Sequence, residues 1–340
     1  MSIICNTRCL DATLTGTQRY TQKILEGFPV DVQQIAPKKG TSRGTRGHVW
    51  EQFILPRKLN NELLWSPSNS GPINYSKQVV TIHDLVSVDH PEWFNKTYAR
   101  WYKFMLPRLC SSAAHIIAIS EFTRQRIQEV FNVPDSKITV IYNGANLVNN
   151  DHYLDSQPES ALPFKRYVLS LGSLEPRKNI PLLISCWRNI LHKIPGDVGL
   201  IIVGATGNQK IFRDAGIGDL PDRVYFTGHI DDNQVIRLYK EALCFVYLSA
   251  YEGFGLPPLE AISFGVPVLA GNKTSLPEVI GDAGLLVDTS SVNECSENLL
   301  SLITDEKLRS GLSERTTVQA AKFNWQRAAK QTWEVLKNFE

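Results

Sequence analysis

The sequence lacks the features that mark several classes of protein. Its 340 residues contain no apolar run of the ~18–20 residues that a membrane-spanning helix needs. The six cysteines form no Cys-x-x-Cys pair, which favours a reducing cytoplasm over an oxidising compartment. The opening MSIICNTRCL is too short an apolar stretch for a signal peptide. With 36 Lys and Arg against 34 Asp and Glu, the charge is too balanced for a nucleic-acid binder.

Metal and cofactor motifs are also missing. There is no Asp-x-Asp, no His/Cys cluster with zinc spacing and no Gly-x-Gly-x-x-Gly. We therefore expect no required metal and no cofactor. Cationic side chains and helix N-termini then have to supply whatever electrostatic stabilisation the chemistry needs.

What is present is the pattern of an α/β protein. The length suggests two domains, and short apolar runs alternate with helical patterns, which predicts parallel sheets. Predicted strands are 78–82, 115–119, 138–141, 167–171, 199–203, 224–227, 243–248 and 266–270; predicted helices are 179–192, 231–241, 257–264 and 325–339. We place the domains at 1–150 and 164–322, with a polar linker at 151–163 and a C-terminal helix in 323–340.

The segment from Glu252 to Glu260, EGFGLPPLE, is the most informative. It predicts a strand, a glycine turn and then a helix from about Pro257, because glycine permits tight turns and proline suits a first helical turn. A helix N-terminus favours phosphate. Carboxylates beside an anion site would repel the anion, so we expect Glu252 and Glu260 to face one crevice and accept hydrogen bonds from neutral hydroxyls. Phosphate together with hydroxyls suggests a nucleotide-sugar.

Glu-x7-Glu after an apolar strand resembles the signature of retaining glycosyltransferases of family 4, which have the GT-B fold and include sucrose synthase and bacterial mannosyltransferases. Further segments that match in order are Gly16-Thr-Gln-Arg-Tyr20, Trp50-Glu-Gln52, His83-Asp-Leu85, Ser120-Glu-Phe-Thr123, Asn143-Gly144, Glu175-Pro-Arg-Lys-Asn179 and Ser275-Leu-Pro-Glu-Val279. The resemblance implies two Rossmann-like doubly wound domains that face a central cleft, with the C-terminal helix crossing back to the first domain.

The resemblance also implies site residues. Arg177 and Lys178 follow a strand, where two cations suit a departing diphosphate, although a solvated basic turn is the alternative. We take Glu175 as a local partner of these cations. Glu252 would hold the transferred sugar and Glu260 the ribose. The implied catalytic residues are His83, Arg177, Lys178 and Glu252; donor-binding residues also include Gly16, Thr17, Gly172, Gly204, His229, Ile230, Gly253, Phe254, Gly255, Leu256 and Glu260.

The first domain is expected to receive the acceptor. His83 would lie near the transferred sugar without serving as an obligatory base, and Arg19 and Asp84 would contact the acceptor. His83 and Asp84 are neighbours whose side chains should point to opposite faces, so we do not expect a dyad. The basic, glycine-rich segment 38–48 is either a solvated loop or one that attracts a lipid pyrophosphate or an anionic membrane surface. Aromatic residues of 98–109 are expected to be mostly core, with some available to lipid.

The resulting hypothesis is a cytoplasmic hexosyltransferase that can sit at the inner face of a membrane. Its partners are a nucleotide-sugar donor and a sugar or lipid-linked acceptor. Glu-Pro-Arg-Lys-Asn most resembles mannosyltransferases that use GDP-mannose, and a UDP-hexose is the alternative donor. Three rivals stay open: a sugar-nucleotide epimerase or hydrolase of the same fold, a phosphorylase with a pyridoxal cofactor, and a two-lobed sugar-binding protein.

Overall fold

A computed structural model describes residues 3–11, 16–145, 162–204 and 219–340. The chain forms two compact units: unit 1 consists of Met1–Gly144 with Phe323–Glu340, and unit 2 of Ala145–Lys322. All but the last two residues of the predicted linker lie outside the described residues. Each unit is built on its own parallel sheet, so the predicted α/β class is confirmed.

Unit 1 contains a six-stranded parallel sheet in the order β2-β1-β3-β4-β5-β6. Its strands are β1 (Ile3–Asn6), β2 (Gln33–Ile35), β3 (Leu63–Ser66), β4 (Gln78–Ile82), β5 (His115–Ala118) and β6 (Ile138–Val140). The sequence pattern predicted the last three of these strands and missed the first three. Length does not explain the difference, because β5 and β6 also have only four and three residues. The missed strand β2 reads Gln-Gln-Ile and is largely exposed, so it carries almost no apolar signal.

The helices in the N-terminal part of unit 1 are α1 (Gly16–Glu26), α2 (Gly44–Val49), α3 (Val86–Asp89), α4 (Lys96–Ser112) and α5 (Glu121–Phe131). Polar residues fix where two of them start. The Asn95 side chain accepts a hydrogen bond from Thr97 N at the start of α4, and Ser120 Oγ accepts one from Thr123 N at the start of α5. Asn132 ends α5 in the left-handed conformation, with φ at 54°.

Helix α2 corrects the expectation of a basic loop over 38–48. Residues 44–48 are helical, and the helix continues as a π-helix over Trp50–Ile54. Gly47 is buried, and a Cβ placed there would lie 1.9 Å from the carbonyl oxygen of Ser42. This glycine therefore serves close packing, a requirement that the sequence pattern could not distinguish from loop flexibility.

Unit 2 contains the second six-stranded parallel sheet, in the order β12-β11-β10-β7-β8-β9. Its strands are β7 (Arg166–Leu171), β8 (Val198–Val203), β9 (Val224–Gly228), β10 (Cys244–Tyr247), β11 (Val268–Gly271) and β12 (Gly284–Val287). Five were predicted, and β12 was missed. It is a short edge strand whose residues other than Val287 are only half-buried, so its apolar signal is weak.

The remaining helices are α6 (Ile180–Ile190), α7 (Asp232–Glu241), α8 (Leu256–Ser263), α9 (Leu276–Ile280), α10 (Val292–Thr304), α11 (Glu306–Ala320) and α12 (Trp325–Lys337). Short 3-10 turns occur at Arg8–Asp11, Pro56–Lys58, Pro91–Trp93, Asp135–Lys137, Pro176–Lys178 and Gly281–Ala283. The two faces of the unit 2 sheet pack separate apolar clusters, one including Trp187 of α6 and the other including Tyr239 of α7. Covered faces explain why the strands of this unit are nearly all apolar.

Helix α12 belongs to unit 1, where it packs against α1. The Trp325 ring lies edge-on to Tyr20, with centroids 6.0 Å apart. A Cβ added at Gly144 would lie 2.5 Å from the backbone nitrogen of Trp325, so only glycine fits there. The Asn143-Gly144 motif thus has a packing role. None of the helices in the described ranges has both the length and the apolar character needed to cross a bilayer.

Candidate active site

The strand order of unit 2 reverses between β7 and β10, and ligands of doubly wound sheets bind at such a switch point, beyond the carboxyl ends of the strands. Arg177 and Lys178 follow β7 there, on a 3-10 turn, and Glu252 follows β10. The Lys178 Nζ atom lies 2.7 Å from Glu252 Oε1, and Arg177 Nη1 lies 3.1 Å from the same oxygen. The structure therefore brings together three of the four predicted catalytic residues.

The Glu252 carboxylate is the centre of this cluster. Its side chain is 10% exposed, and burial alone would raise its pKa, but the charges of Lys178 and Arg177 lower that pKa to about 2. Burial lowers the pKa of Lys178 despite the attraction of Glu252. The expectation that Glu252 accepts hydrogen bonds from neutral hydroxyls was incomplete, because two cations bind it as well.

Glu175 holds the outer side of Arg177. Its Oε2 atom accepts a hydrogen bond of 2.8 Å from Arg177 Nε, which confirms the predicted local pairing. The Arg177 carbonyl accepts a hydrogen bond of 2.7 Å from Ala250 N, and Ser249 Oγ lies 2.8 Å from the same oxygen. These contacts attach the cationic turn that follows β7 to the segment that follows β10.

Two members of the cluster were missed by the sequence reasoning. Tyr247 OH donates to Glu252 Oε1 at 2.9 Å and also pairs with Lys178 Nζ. Ser249 Oγ donates to the same carboxylate oxygen at 2.7 Å. Tyr247 stands in an apolar strand, where a core role is the natural interpretation. The available signal was its place at the carboxyl end of a strand, next to polar Ser249.

The turn after Glu252 comprises Gly253, Phe254, Gly255 and Leu256 and leads into α8. Gly255 has a φ of 101°, which requires glycine, and a Cβ there would lie 2.9 Å from Leu276. Pro257 and Pro258 occupy the second and third positions of α8 and have no backbone N–H. This helix N-terminus therefore offers fewer donors to an anion than the sequence reasoning assumed.

Glu260 is the fifth residue of α8 and lies in its second turn. It is 7% exposed, and its Oε2 accepts a hydrogen bond of 3.2 Å from Tyr239 OH. Burial and the neighbouring Glu260 charge both raise the pKa of Tyr239. Tyr239 thus donates to Glu260, whereas Tyr247 donates to Glu252. The proposed contact of Glu260 with a ribose stays a prediction.

Four further predicted donor residues follow the neighbouring strands. Gly172 follows β7, and its N donates to Val203 O at 2.9 Å; Gly204 follows β8, and its N donates to Gly228 O at 3.0 Å. Gly204 has a φ of 91°, so its backbone conformation also requires glycine. Exposed His229 and half-buried Ile230 stand between β9 and α7. All four lie at the carboxyl edge of the unit 2 sheet.

In unit 1, His83 follows β4 and is almost fully buried. Its Nε2 lies 2.7 Å from the carbonyl oxygen of Pro67, so this nitrogen carries the proton in the neutral ring. Burial lowers the pKa of His83 to about 4, although the Pro67 contact opposes the shift. Asp84 instead accepts from Val86 N at 3.2 Å. As predicted, the two residues do not form a dyad.

The remaining predicted residues of unit 1 lie on the first turn of α1. Gly16 is its first residue, the Thr17 carbonyl accepts a hydrogen bond of 2.9 Å from Thr21 Oγ1, and Arg19 is half-buried. Tyr20, one turn further along α1, packs its ring edge-on to His83, with centroids 4.8 Å apart. Residues 12–15, which precede this turn, lie outside the described ranges.

A buried ion pair in unit 1 was also missed. Arg8, two residues after β1, places Nε 3.0 Å from Oε1 of Glu51, which has no exposed surface. Burial would raise the pKa of Glu51, but Arg8, with hydrogen bonds from Ser70 and Asn6, lowers it to about 2. The strand order of unit 1 reverses between β1 and β3, so this pair stands at the switch point of that sheet. The Trp50-Glu-Gln52 motif was its only sequence signal.

No group of three His, Cys, Asp or Glu side chains that could hold a metal ion is found in the part of the chain that the structure describes. The expectation that the reaction needs no metal stays a prediction.

Comparisons with known proteins match both units. The family model "Glycosyl transferases group 1" matches residues 155–319, and "Glycosyltransferase Family 4" matches residues 75–148. O-antigen chain mannosyltransferase B of Escherichia coli is 33% identical over 295 residues, which cover 84% of this chain and 76% of that protein. O-antigen chain mannosyltransferase RfbU of Salmonella typhimurium is 27% identical over 271 residues, with coverages of 76% and 72%.

Among solved structures, sucrose-phosphate synthase of Thermosynechococcus elongatus superposes with a TM-score of 0.72 at 17% identity, over 99% of this chain and 98% of that one. This likeness concerns the fold. Together with two parallel α/β units and a cationic turn opposite Glu-x7-Glu, these matches show that the chain belongs to glycosyltransferase family 4 and has the GT-B fold.

Proposed function

We propose that this glycosyltransferase transfers mannose from GDP-mannose to a hydroxyl group of a sugar or lipid-linked sugar, with retention of the anomeric configuration. The observation that carries the proposal is the pair of cations, Arg177 and Lys178, held beside Glu252 at the switch point of unit 2. The mannosyltransferase names of the two relatives support the choice of sugar. A UDP-hexose is the alternative donor.

The cationic turn suits a leaving diphosphate. The Arg177 side chain is 29% exposed, so its guanidinium can contact a ligand while its Nε atom keeps the ion pair with Glu175. Lys178 is nearly buried, and an incoming anion would compensate a charge that burial disfavours. Both cations would stabilise the charge that develops on the diphosphate as the glycosidic bond breaks, without the need for a metal.

Retention follows if the acceptor hydroxyl attacks on the side from which the diphosphate departs. The leaving phosphate oxygen can then take the acceptor proton, and no protein base is required. The neutral His83 agrees with this proposal, since a ring with a pKa of about 4 is a weak base at neutral pH. Glu252 would hold the transferred sugar and Glu260 the ribose, whereas contacts of Arg19 and Asp84 with the acceptor stay predictions.

The first experiment identifies the donor by thermal shift. GDP-mannose, UDP-glucose, UDP-GlcNAc, GDP and UDP are titrated against the full chain. A ligand at about 100 times its dissociation constant stabilises the protein by about 2.7 kcal/mol, which gives a readable shift in Tm. We expect GDP and GDP-mannose to give this shift and Arg177→Ala to lose it. A response confined to UDP compounds would favour the alternative donor, and no response to any nucleotide would refute the proposal.

Product analysis then separates transfer from its rivals. GDP-mannose labelled in the sugar is incubated with and without a mannoside acceptor. A labelled disaccharide that retains the α-configuration supports transfer. Free mannose or an epimerised nucleotide-sugar, formed equally without acceptor, would instead identify a hydrolase or an epimerase.

We also propose that the enzyme works in the cytoplasm and meets its acceptor at the inner face of a membrane. This setting suits a lipid-linked acceptor.

A further inference from the structure

Thr274 has an unfavourable backbone conformation. It lies between β11 and α9 and has a φ of 62°, in the left-handed region. Six non-glycine residues in the described ranges have a positive φ, and four of them are asparagine, which tolerates this conformation. Thr274 is the β-branched member of the group, and a β-branched side chain crowds a left-handed backbone. Glycine or asparagine would form the same turn with less strain, so the threonine side chain requires an explanation.

The strained residue contacts the backbone of Glu252. Strand β11 pairs in parallel with β10, so the segments that follow the two strands are neighbours. Glu252 N donates to Thr274 Oγ1 at 3.3 Å, and the Thr274 hydroxyl donates onward to the carbonyl oxygen of Lys273 at 2.6 Å. The next residue, Ser275, donates from Oγ to the Glu252 carbonyl oxygen at 2.9 Å. Thr274 and Ser275 therefore hold Glu252 at both its backbone N–H and its carbonyl group.

Burial of the two residues after Thr274 explains how the strain persists. Ser275 and Leu276 have no exposed surface. Leu276 begins α9 and packs beside Gly255 of the donor turn, where an added Cβ would lie 2.9 Å from the leucine side chain. The chain after Thr274 cannot shift to relax its backbone without breaking these contacts, so the surrounding structure enforces the left-handed conformation.

The two oxygens of the Glu252 carboxylate are held unequally. Oε1 accepts hydrogen bonds from four donors: Lys178 Nζ, Arg177 Nη1, Tyr247 OH and Ser249 Oγ. Among the described residues, one donor contacts Oε2, namely Arg177 Nη1 at 3.2 Å. A carboxylate oxygen accepts more than one hydrogen bond, so Oε2 has the capacity to accept one from a sugar hydroxyl. Where that oxygen lies depends on where the Glu252 backbone is held.

We propose that Thr274 is a positioning residue for Glu252. Its strained backbone brings the hydroxyl to Glu252 N, and this contact sets the place of Oε2 relative to the transferred sugar. The inference rests on the proposed function, in which Glu252 holds that sugar. Thr274 itself touches neither the sugar nor the diphosphate and acts through Glu252.

Three substitutions separate the hydroxyl from the strain. Thr274→Ser keeps the hydroxyl, Thr274→Val keeps the shape and the strain without the hydroxyl, and Thr274→Gly lacks both. Thr274→Gly should melt about 2–4 °C above Thr274→Val, because glycine adopts a positive φ without strain. The kcat for transfer to a mannoside acceptor should follow the hydroxyl instead. Thr274→Ser should keep the wild-type kcat, whereas Thr274→Val and Thr274→Gly should lower it about 3- to 10-fold, since each loses one neutral hydrogen bond.

Titration calorimetry with free GDP is the second readout. All three variants should bind GDP within about twofold of wild type, because GDP lacks the sugar that Glu252 would hold. A lower kcat with unchanged GDP binding indicates positioning at the sugar. A general disturbance of the turn would weaken GDP binding as well, and that result in Thr274→Val would contradict the inference.

A double-mutant cycle identifies the residue through which Thr274 acts. Glu252→Ala removes the side chain that is positioned, so Thr274→Val should change kcat less than about twofold in that background. If Glu252→Ala fails to fold by circular dichroism, the serine, valine and glycine variants decide by themselves. If Thr274→Val fails to fold, the comparison of Thr274→Gly with Thr274→Ser decides.

The outcomes distinguish this inference from the proposed reaction. A wild-type kcat in Thr274→Val, or an equal loss in Thr274→Ser, would overturn the positioning role alone. A Tm of Thr274→Gly below that of Thr274→Val would show that the threonine backbone is not strained and would also overturn it. Wild type that transfers no hexose from GDP-mannose or from a UDP-hexose would refute the proposed function, and the inference with it.

Discussion

Glu252→Gln tests the central electrostatic argument about unit 2. The substitution keeps the size of the side chain and removes its charge, so Lys178 and Arg177 lose the carboxylate that compensates them. The pKa of Glu252 is about 2 against an ordinary 4.5, and each unit corresponds to about 1.4 kcal/mol. The ionised carboxylate therefore contributes about 3 kcal/mol to folding, close to the ~3–5 kcal/mol lost when one partner of a buried pair is removed.

The sign of the pH dependence follows from the lowered pKa. The contribution of Glu252 is fully present above pH 4.5 and is lost as the pH falls through 2. Urea unfolding followed by circular dichroism should thus show the variant about 3 kcal/mol less stable at pH 7, and the difference should shrink towards pH 3.

Glu175→Gln is the matched control, because it removes the other carboxylate of Arg177. Glu175 is half exposed, and an exposed pair contributes at most about 1 kcal/mol. If Glu252→Gln is no less stable than Glu175→Gln, the two cations do not depend on the buried carboxylate and the reasoning fails.

The same variant also has a functional outcome. Free GDP should bind Glu252→Gln at least as tightly as wild type, because the substitution removes a negative charge that competes for Arg177 and Lys178. Turnover should fall, because the sugar loses a contact that we expect to strengthen as the glycosidic bond breaks. Titration calorimetry and kcat measure the two effects separately. Weaker GDP binding would show that Glu252 mainly positions the cations.

The other predictions concern single groups of the site. Arg177→Ala or Lys178→Ala should lower turnover at least about 100-fold, and unchanged kinetics in both variants would remove the diphosphate assignment. Transfer should persist in excess chelator; complete loss that Mg²⁺ restores would reveal a metal requirement. Glu260→Gln should weaken GDP binding by about 1–3 kcal/mol and raise KM with little change in kcat, whereas normal binding with a lower Tm would mean that Glu260 only supports Tyr239. Burial lowers the pKa of His83 from 6.5 to about 4. The contribution of the buried neutral ring to the free energy of unfolding is therefore fully present above pH 6.5 and is lost as the pH falls to 4. Between pH 7 and pH 5, the free energy of unfolding of the wild type should therefore fall by about 2 kcal/mol more than that of His83→Asn. An equal decrease in the two proteins would contradict the assignment of a buried neutral ring.

The sequence by itself determined the fold class and the family. Six-residue apolar strands such as β7 and β8 can be recognised from the sequence alone. Capping residues such as Asp231 likewise mark where helices begin. The turn and helix start within the Glu252–Glu260 segment could also be predicted locally, because glycine permits the left-handed turn and proline suits the first helical turn. Strand β2, which reads Gln-Gln-Ile, was not predicted, because its pairing with β1 rather than an apolar pattern stabilises it.

Only the tertiary structure decided which charges meet. Lys178 and Glu252 are 74 residues apart, a separation that no local sequence motif spans. Tyr247 joins them only because β10 pairs with β7 and ends beside it. The same holds for Arg8 and Glu51, which are 43 residues apart and meet at the switch point of unit 1. Sequence shows which side chains carry charge, but burial and pairing set their pKa values, and both depend on the strand order of the sheet.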